Sequence, residues 1–207
     1  MKDNIILFSR TYEKQVVVMC KILEKIKDKS ANDLLLEYEM SLEPPIDIFD
    51  LVQKIGITVL SKDFSEIEKI QNVKKNSILG AAFSIQEDLA IFYKESDSLH
   101  RRNFTIAHEL AHCCFDCPSN EAAHIEYRIN SIANLDEHQI EKEKRANIFA
   151  GELLIPEVSL RKIHRKMIIP SLTELARIFD VSTSVMAARL DYLRMPYYKD
   201  SITEIML

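Results

Sequence analysis

The sequence predicts an α+β fold, and three observations carry that prediction. Short strand-like runs cluster between Ile57 and Tyr93, long helix-periodic segments follow them, and only three Gly and six Pro interrupt the 207 residues. Strands gathered in one stretch and helices in the next favour a segregated α+β arrangement over an alternating one. The expected sheet is short, mixed or antiparallel. A chain of this length holds one sizeable core, or one core with a small helical appendage.

The elements follow in order. Tyr12 to Lys29 reads as an amphipathic helix, with Val16, Met19, Cys20, Leu23 and Ile26 at helical spacing. Asp33 to Leu42 reads as another, stopped by Pro44-Pro45, the clearest boundary candidate in the chain. A short helix from Ile48 to Lys54 is closed by Gly56. Ile57 to Leu60, Ile78 to Ile85 and Leu89 to Tyr93 read as strands, the last two joined by Gln86-Glu87-Asp88. Phe104 to Cys114 forms an apolar helix, with Asn103 or Thr105 as N-cap and Pro118 beyond its end. A second long helix spans about Glu137 to Leu154. Leu172 to Phe179, the turn Asp180-Val181-Ser182 and Thr183 to Leu190 have a helix-turn-helix look, with Ser171-x-x-Glu174 as a capping box. These elements divide the chain into an N-terminal helical extension (1–43), a core (44–160) and a C-terminal helical region packed on it (161–207).

Composition narrows the class of function. A net charge of −5, with 47% apolar and 29% charged residues, describes an ordinary soluble globule and disfavours non-specific binding to nucleic acid or anionic membranes. No run of about twenty apolar residues is present, and the N-terminus lacks a signal-peptide core, so a cytoplasmic location is expected. Cys20, Cys113, Cys114 and Cys117 should then be reduced. Cys114 and Cys117 have CxxC spacing, but no second CxxC exists and the cysteines continue an apolar helix, which favours buried small hydrophobes.

The chemistry lies in His108-Glu109-Leu110-Ala111-His112. Residues four apart share a helix face, so His108 and His112 can present ring nitrogens to one ion, with Glu109 placed as base rather than ligand. A catalytic zinc site needs a third protein ligand and an open position. On the second helix, Ile140, Ala146, Ala150, Leu153 and Leu154 define an apolar stripe that includes Asn147, and Glu143 points to its middle. Glu143 is the third-ligand candidate and Glu141 the second choice; a buried ion pair with Arg or Lys is the competing explanation of Glu143. Such an ion would polarise a scissile carbonyl and lower the pKa of a water to roughly 7, and Glu109 would take the proton and pass it to the leaving amine. His124, Tyr127 and His138 are candidates by position alone for stabilising the oxyanion, against a plain structural role. His100 and His164 read as ordinary.

The chain resembles the ImmA/IrrE family of metallopeptidases. The matching segments are Arg102 to His112, Glu143 to Pro156 and Ser171 to Ser182, with the entry near Pro44 to Ile48 and Gly56 to Val59. The resemblance covers about Pro44 to Leu193. Ala111 stands where the family often has Gly, and Ile155 where Met is common. It implies a small zincin-like fold, Zn2+ held by His108, His112 and Glu143, and Glu109 as base. It also implies a protein substrate, a helix-turn-helix transcriptional repressor, and hence an anti-repressor role. In such proteases an exposed sheet edge takes the substrate as an added strand, and Ala81 to Ile85 is expected near that edge. The alternatives are a binding protein that holds a regulator without cutting it, or a DNA-binding protein using the C-terminal unit. The first would not need Glu109. The second lacks uncompensated cations, since Arg177, Arg189 and Arg194 are matched by Glu174, Asp180 and Asp191.

Overall fold

The computed structural model describes residues 21–85, 88–117, 123–129 and 136–199, with 123–129 described as backbone. Helix α1 (Lys21–Ile26) buries Leu23 and Ile26; the rest of the expected 12–29 helix, with Val16, Met19 and Cys20, falls outside the described residues. Helix α2 (Ala31–Glu37) starts at Ser30, whose hydroxyl accepts from the Asp33 N–H while the Asp33 carboxylate accepts from the Ser30 N–H. A reciprocal cap of this kind stabilises a helix by about 1 kcal/mol. The helix ends at Glu37 instead of Leu42. Glu39 takes a positive φ of 50°, and the Met40 N–H returns to the Leu35 carbonyl at 2.8 Å, so a local backbone closure stops the helix before the prolines do. Helix α3 (Ile48–Ile55) is capped by the Asp47 carboxylate and closed by Gly56 at φ 99°, a conformation that glycine alone adopts cheaply.

Strand β1 (Thr58–Lys62), helix α4 (Ser65–Ile70), strands β2 (Ile78–Ile85) and β3 (Asp88–Lys94), helix α5 (Leu99–Phe115), strand β4 (Ala123–Ile129) and helix α6 (Glu137–Leu154) follow. Helices α7 (Glu157–His164), α8 (Leu172–Ile178) and α9 (Thr183–Tyr192) complete the described elements. The sheet is mixed, in the order β1-β3-β2-β4, with β1 parallel to β3 and β2 antiparallel to both its neighbours. This corrects the expectation for Ala81 to Ile85. β2 is interior, paired at Ala81 with Phe92 on one side and Tyr127 on the other, and β4 takes the edge. The signal for β4 was the alternation in Ala123-His124-Ile125-Glu126-Tyr127-Arg128-Ile129, the period of a half-buried strand. Helix α4 is too short to show a period.

A register irregularity between Ile78 and Gly80 brings Ile78 and Ala81 together with Phe64 in a small cluster on one face of the sheet. Ala82, Leu89 and Ile91 join the main core with α5 on the other. That core also takes in Leu34 and Leu35 of α2, Leu175 of α8 and Met186 and Leu190 of α9. The helix-turn-helix-like segment is therefore packed into the molecule through its apolar residues. Helix α5 begins after Ser98, so Asn103 and Thr105 are interior residues rather than caps. The added first turn, Leu99 to Arg102, is largely exposed and polar, which hides it from an apolar-period reading. No helix among the described residues is long and apolar enough to cross a membrane.

Candidate metal centre

Helices α5 and α6 run antiparallel along a shared seam: Asp116 meets Lys142 and Arg145, whereas His108, earlier on α5, meets Asn147, later on α6. Along that seam the helical period places Phe104, His108, His112 and Asp116 on one face of α5, and Glu143, Asn147 and Gly151 on one face of α6. The faces meet at three side chains. His108 Nε2 lies 3.1 Å from His112 Nε2 and 3.3 Å from Glu143 Oε2, and His112 Nε2 lies 3.4 Å from Glu143 Oε1.

These spacings fit a metal. Tetrahedral zinc with N and O ligands at roughly 2.0–2.1 Å separates its ligand atoms by about 3.3–3.4 Å. The donors are also correct in kind, two imidazoles and one carboxylate. Among the described residues, His108, His112 and Glu143 are the group of His, Cys, Asp and Glu side chains that could hold an ion. Both histidines are almost fully buried, while Glu143 keeps a third of its side chain exposed. It therefore lies at the rim of the apolar stripe and not at its middle, which corrects the sequence reading, and that rim gives the centre a route to solvent.

Each imidazole is oriented from behind. His108 Nδ1 donates to Asn147 Oδ1 at 3.1 Å, and His112 Nδ1 donates to Asp116 Oδ2 at 2.8 Å. Both bonds fix the tautomer that frees Nε2 as a ligand, the usual arrangement around a histidine metal site. The other Asp116 oxygen is held by Arg145 at 2.5 Å and Lys142 at 3.7 Å. Burial pushes the Asp116 carboxyl upward, but His112, Arg145 and Lys142 together hold it below the usual range. Burial opposes ionisation of Glu143, and without an ion, when His108 and His112 also carry protons on Nε2, their hydrogen bonds and charge override it and leave the carboxyl well below its ordinary value.

Glu109 is completely buried between α5 and the sheet. Its place there depends on Gly80. A Cβ at position 80 would stand 2.5 Å from Thr105 Cγ2, 2.9 Å from Glu109 Oε1 and 3.2 Å from the Phe92 carbonyl oxygen. Only a glycine lets α5 lie this close to β2. Gly80 carries no sequence signal for this role, whereas Asp116, four residues after His112, could have been found from helical spacing.

The remaining candidates separate clearly. Glu141 is exposed and pairs with Lys144 at 2.7 Å, so it is not a ligand. His138 is exposed in the first turn of α6. His124 and Tyr127 lie on β4, where side chains are outside the described residues. His100 binds Asp180 at 2.8 Å and His164 approaches the Pro196 carbonyl at 2.7 Å, both as links between elements. Cys113 and Cys114 are buried and Cys117 is half-buried, all free thiols. Burial, with Cys117 nearby, pushes Cys114 up to about 12, and hydrogen bonding to Cys117 with burial raises Cys113 as well. These are neutral packing groups. Cys20 and Pro118 are outside the described residues.

A buried pair of helix-borne histidines and a facing carboxylate on the next helix form a group that could hold a metal ion. The family model for peptidases with an IrrE N-terminal-like domain (Peptidase_M78) matches residues 52–191, and the chain belongs to this family. No curated protein matches it. The family suggests a metallopeptidase, in keeping with the geometry of the three side chains.

Proposed function

We propose that the chain is a zinc-dependent endopeptidase of the cytoplasm that cuts a protein substrate. The observation that carries this reading is the triangle of donor atoms, 3.1, 3.3 and 3.4 Å on its sides, formed by His108, His112 and Glu143. Zinc, when bound there, supplies a Lewis acid for the scissile carbonyl and acidifies water to roughly pKa 7. Glu109 follows the first ligand and carries the proton from the attacking water to the leaving amine nitrogen, a role worth about 10²- to 10⁴-fold in rate. Asn147 and Asp116 hold the two imidazoles in the ligand tautomer throughout. The small sheet supports the same reading, because β4 is an edge strand among the described residues and can receive an extended peptide by backbone hydrogen bonds alone.

The substrate we infer is a helix-turn-helix transcriptional repressor, which would make the protein an anti-repressor. This rests on the family resemblance. A peptide must be extended to follow a strand edge, so cleavage should fall in a loop or linker of the repressor.

The experiment joins metal content to cleavage. Protein purified without added metal should hold about one zinc per chain, as one three-ligand site requires. Glu109→Gln should retain zinc and fold while losing at least about 10²-fold in cleavage, whereas Glu143→Gln should release zinc. Equal metal loss in both variants would reverse the assigned roles. Retained zinc in the His108→Ala, His112→Ala double variant would move the metal elsewhere.

A further inference from the structure

At one corner of the molecule the sign of the chain's charge reverses. Leu160 to Thr173 carries Arg161, Lys162, Arg165 and Lys166 and no Asp or Glu, and Tyr192 to Lys199 adds Arg194 and Lys199, again without an acid. The fold lays these two segments side by side. His164 Nε2 lies 2.7 Å from the Pro196 carbonyl oxygen. The Tyr198 N–H donates to the Pro170 carbonyl at 2.8 Å, and the Leu172 N–H to the Tyr198 carbonyl at 3.0 Å. Two acids reach the corner from outside, Glu157 against Arg161 at 2.6 Å and Glu43 against Lys162 at 2.7 Å. Arg165, Lys166 and Arg194 are exposed, and no ion pair among the described residues engages them.

The same corner leaves large apolar side chains in water. Ile168 is 100% exposed and Ile169 67%, in the loop after α7, with Val158 on α7 and Tyr198 exposed as well. The helical period puts Val158, Arg161, Lys162 and Arg165 on one face of α7, away from the buried Ser159 and Leu160. Single exposed hydrophobic residues are ordinary, whereas a group of them rimmed by polar residues marks a contact surface. Charge and shape select the partner. The rim is cationic, so the partner is anionic. An isoleucine exposed in full projects from the surface and lines no groove, so the partner must yield to it. An anionic lipid surface meets both demands, while a nucleic-acid backbone would satisfy the cations and leave the isoleucines in water. Peripheral binding of this kind requires two weak signals together, an apolar insertion and a basic patch. The whole-chain charge of −5 disfavours such binding on average, and it thereby restricts the contact to this corner.

We propose that this corner is a docking surface for an anionic lipid bilayer. Ile168 and Ile169 enter the boundary between headgroups and acyl chains, and Arg165 and Lys166 hold the lipid phosphates. The contact is peripheral, in keeping with the lack of a membrane-crossing helix among the described residues. The corner shares no residue with the candidate metal centre, so docking and peptidase chemistry can each hold without the other.

The sequence contains no Trp, so Ile168→Trp in the full chain gives a fluorescent reporter without background. Its emission should shift to the blue on vesicles of phosphatidylcholine and phosphatidylglycerol in equal parts, and stay put on phosphatidylcholine alone. Ile70→Trp, at an exposed position of α4, should not shift on either. Cosedimentation with the mixed vesicles then apportions the contact. Arg165→Gln with Lys166→Gln should weaken binding about 25-fold, since each Lys or Arg at an anionic surface contributes about fivefold. Ile168→Asn with Ile169→Asn should weaken it at least about tenfold, from the apolar area left in water. Thermal melting should match the wild type in both variants, because all four positions are exposed. No binding to the mixed vesicles, equal binding to both vesicle types, or binding indifferent to the isoleucines overturns the proposal. Duplex DNA binding that needs Arg165 and Lys166 but not Ile168, with no vesicle binding, would assign the corner to nucleic acid instead.

Discussion

Two carboxylates in this molecule are held below the usual range for opposite reasons. Glu68, on α4, is 3% exposed and accepts the backbone N–H groups of Asn76 at 2.8 Å and Ile78 at 3.0 Å. Those amides, Ile78 foremost, keep it ionised against the pull of burial. They are fixed main chain, so Glu68 pins the turn that feeds β2 and cannot exchange its partners. Glu143 keeps a third of its side chain exposed and is held down by two imidazoles, whose nitrogens could themselves hold a metal ion. Its partners can be traded for a cation. A depressed carboxylate surrounded by amides is architecture, and one surrounded by ligands facing a solvent route is a site.

The sharpest way to break that comparison is at Gly80, where architecture and site touch. Gly80→Ala should leave zinc in place but reduce cleavage on the order of 100-fold, because displacing a catalytic group by about 1 Å has effects of that size. The double variant Gly80→Ala, Thr105→Ser removes the methyl that would stand at 2.5 Å and should recover thermal stability, while the contact at 2.9 Å with Glu109 remains. Activity recovered along with stability would mean that Gly80 serves packing alone.

A smaller effect is expected behind the ligands. Asp116→Ala or Asn147→Ala should weaken zinc binding about 10- to 100-fold, as loss of an orienting partner usually does, without preventing saturation at high zinc. Competition with a chromogenic chelator measures it. Affinity unchanged in both variants would show that the hydrogen bonds at 2.8 and 3.1 Å do not set the tautomer.

The smallest effect belongs to Glu68 and appears in stability alone. Its folded pKa is depressed, so its contribution is present above the unfolded carboxylate value of about 4.3 and is lost as pH falls through the folded value. Glu68→Gln should melt a few degrees below wild type at pH 7, and the gap should close as the pH falls below about 4. Zinc affinity should not change. A gap that widens on acidification would contradict the sign of the shift.

Much of the site was legible from spacing because it is built on helices. His108 and His112 share a face by period alone, and the same arithmetic on α6 placed Glu143 toward the seam and Glu141 toward solvent, where it pairs with Lys144. Glycine chemistry fixed the end of α3 at Gly56 in the same local way. What failed was non-local. Strand order is decided by which hydrogen-bonding edges meet, so the expectation of Ala81 to Ile85 near the exposed edge did not foresee that β4 covers β2. The end of α2 depended on a return bond to Leu35, and the α5 cap lay beyond an exposed polar turn.

The sequence by itself determined the two long helices of the site, the two histidines and the facing glutamate, because each follows from a period of a few residues along one chain, and the short motifs they carry gave the family. Tertiary structure alone decided that Gly80 clears room for Glu109 and that α9 closes a cavity beside the candidate metal ligands. Those are distances between segments far apart in the chain, set by packing in three dimensions, and no periodicity encodes them.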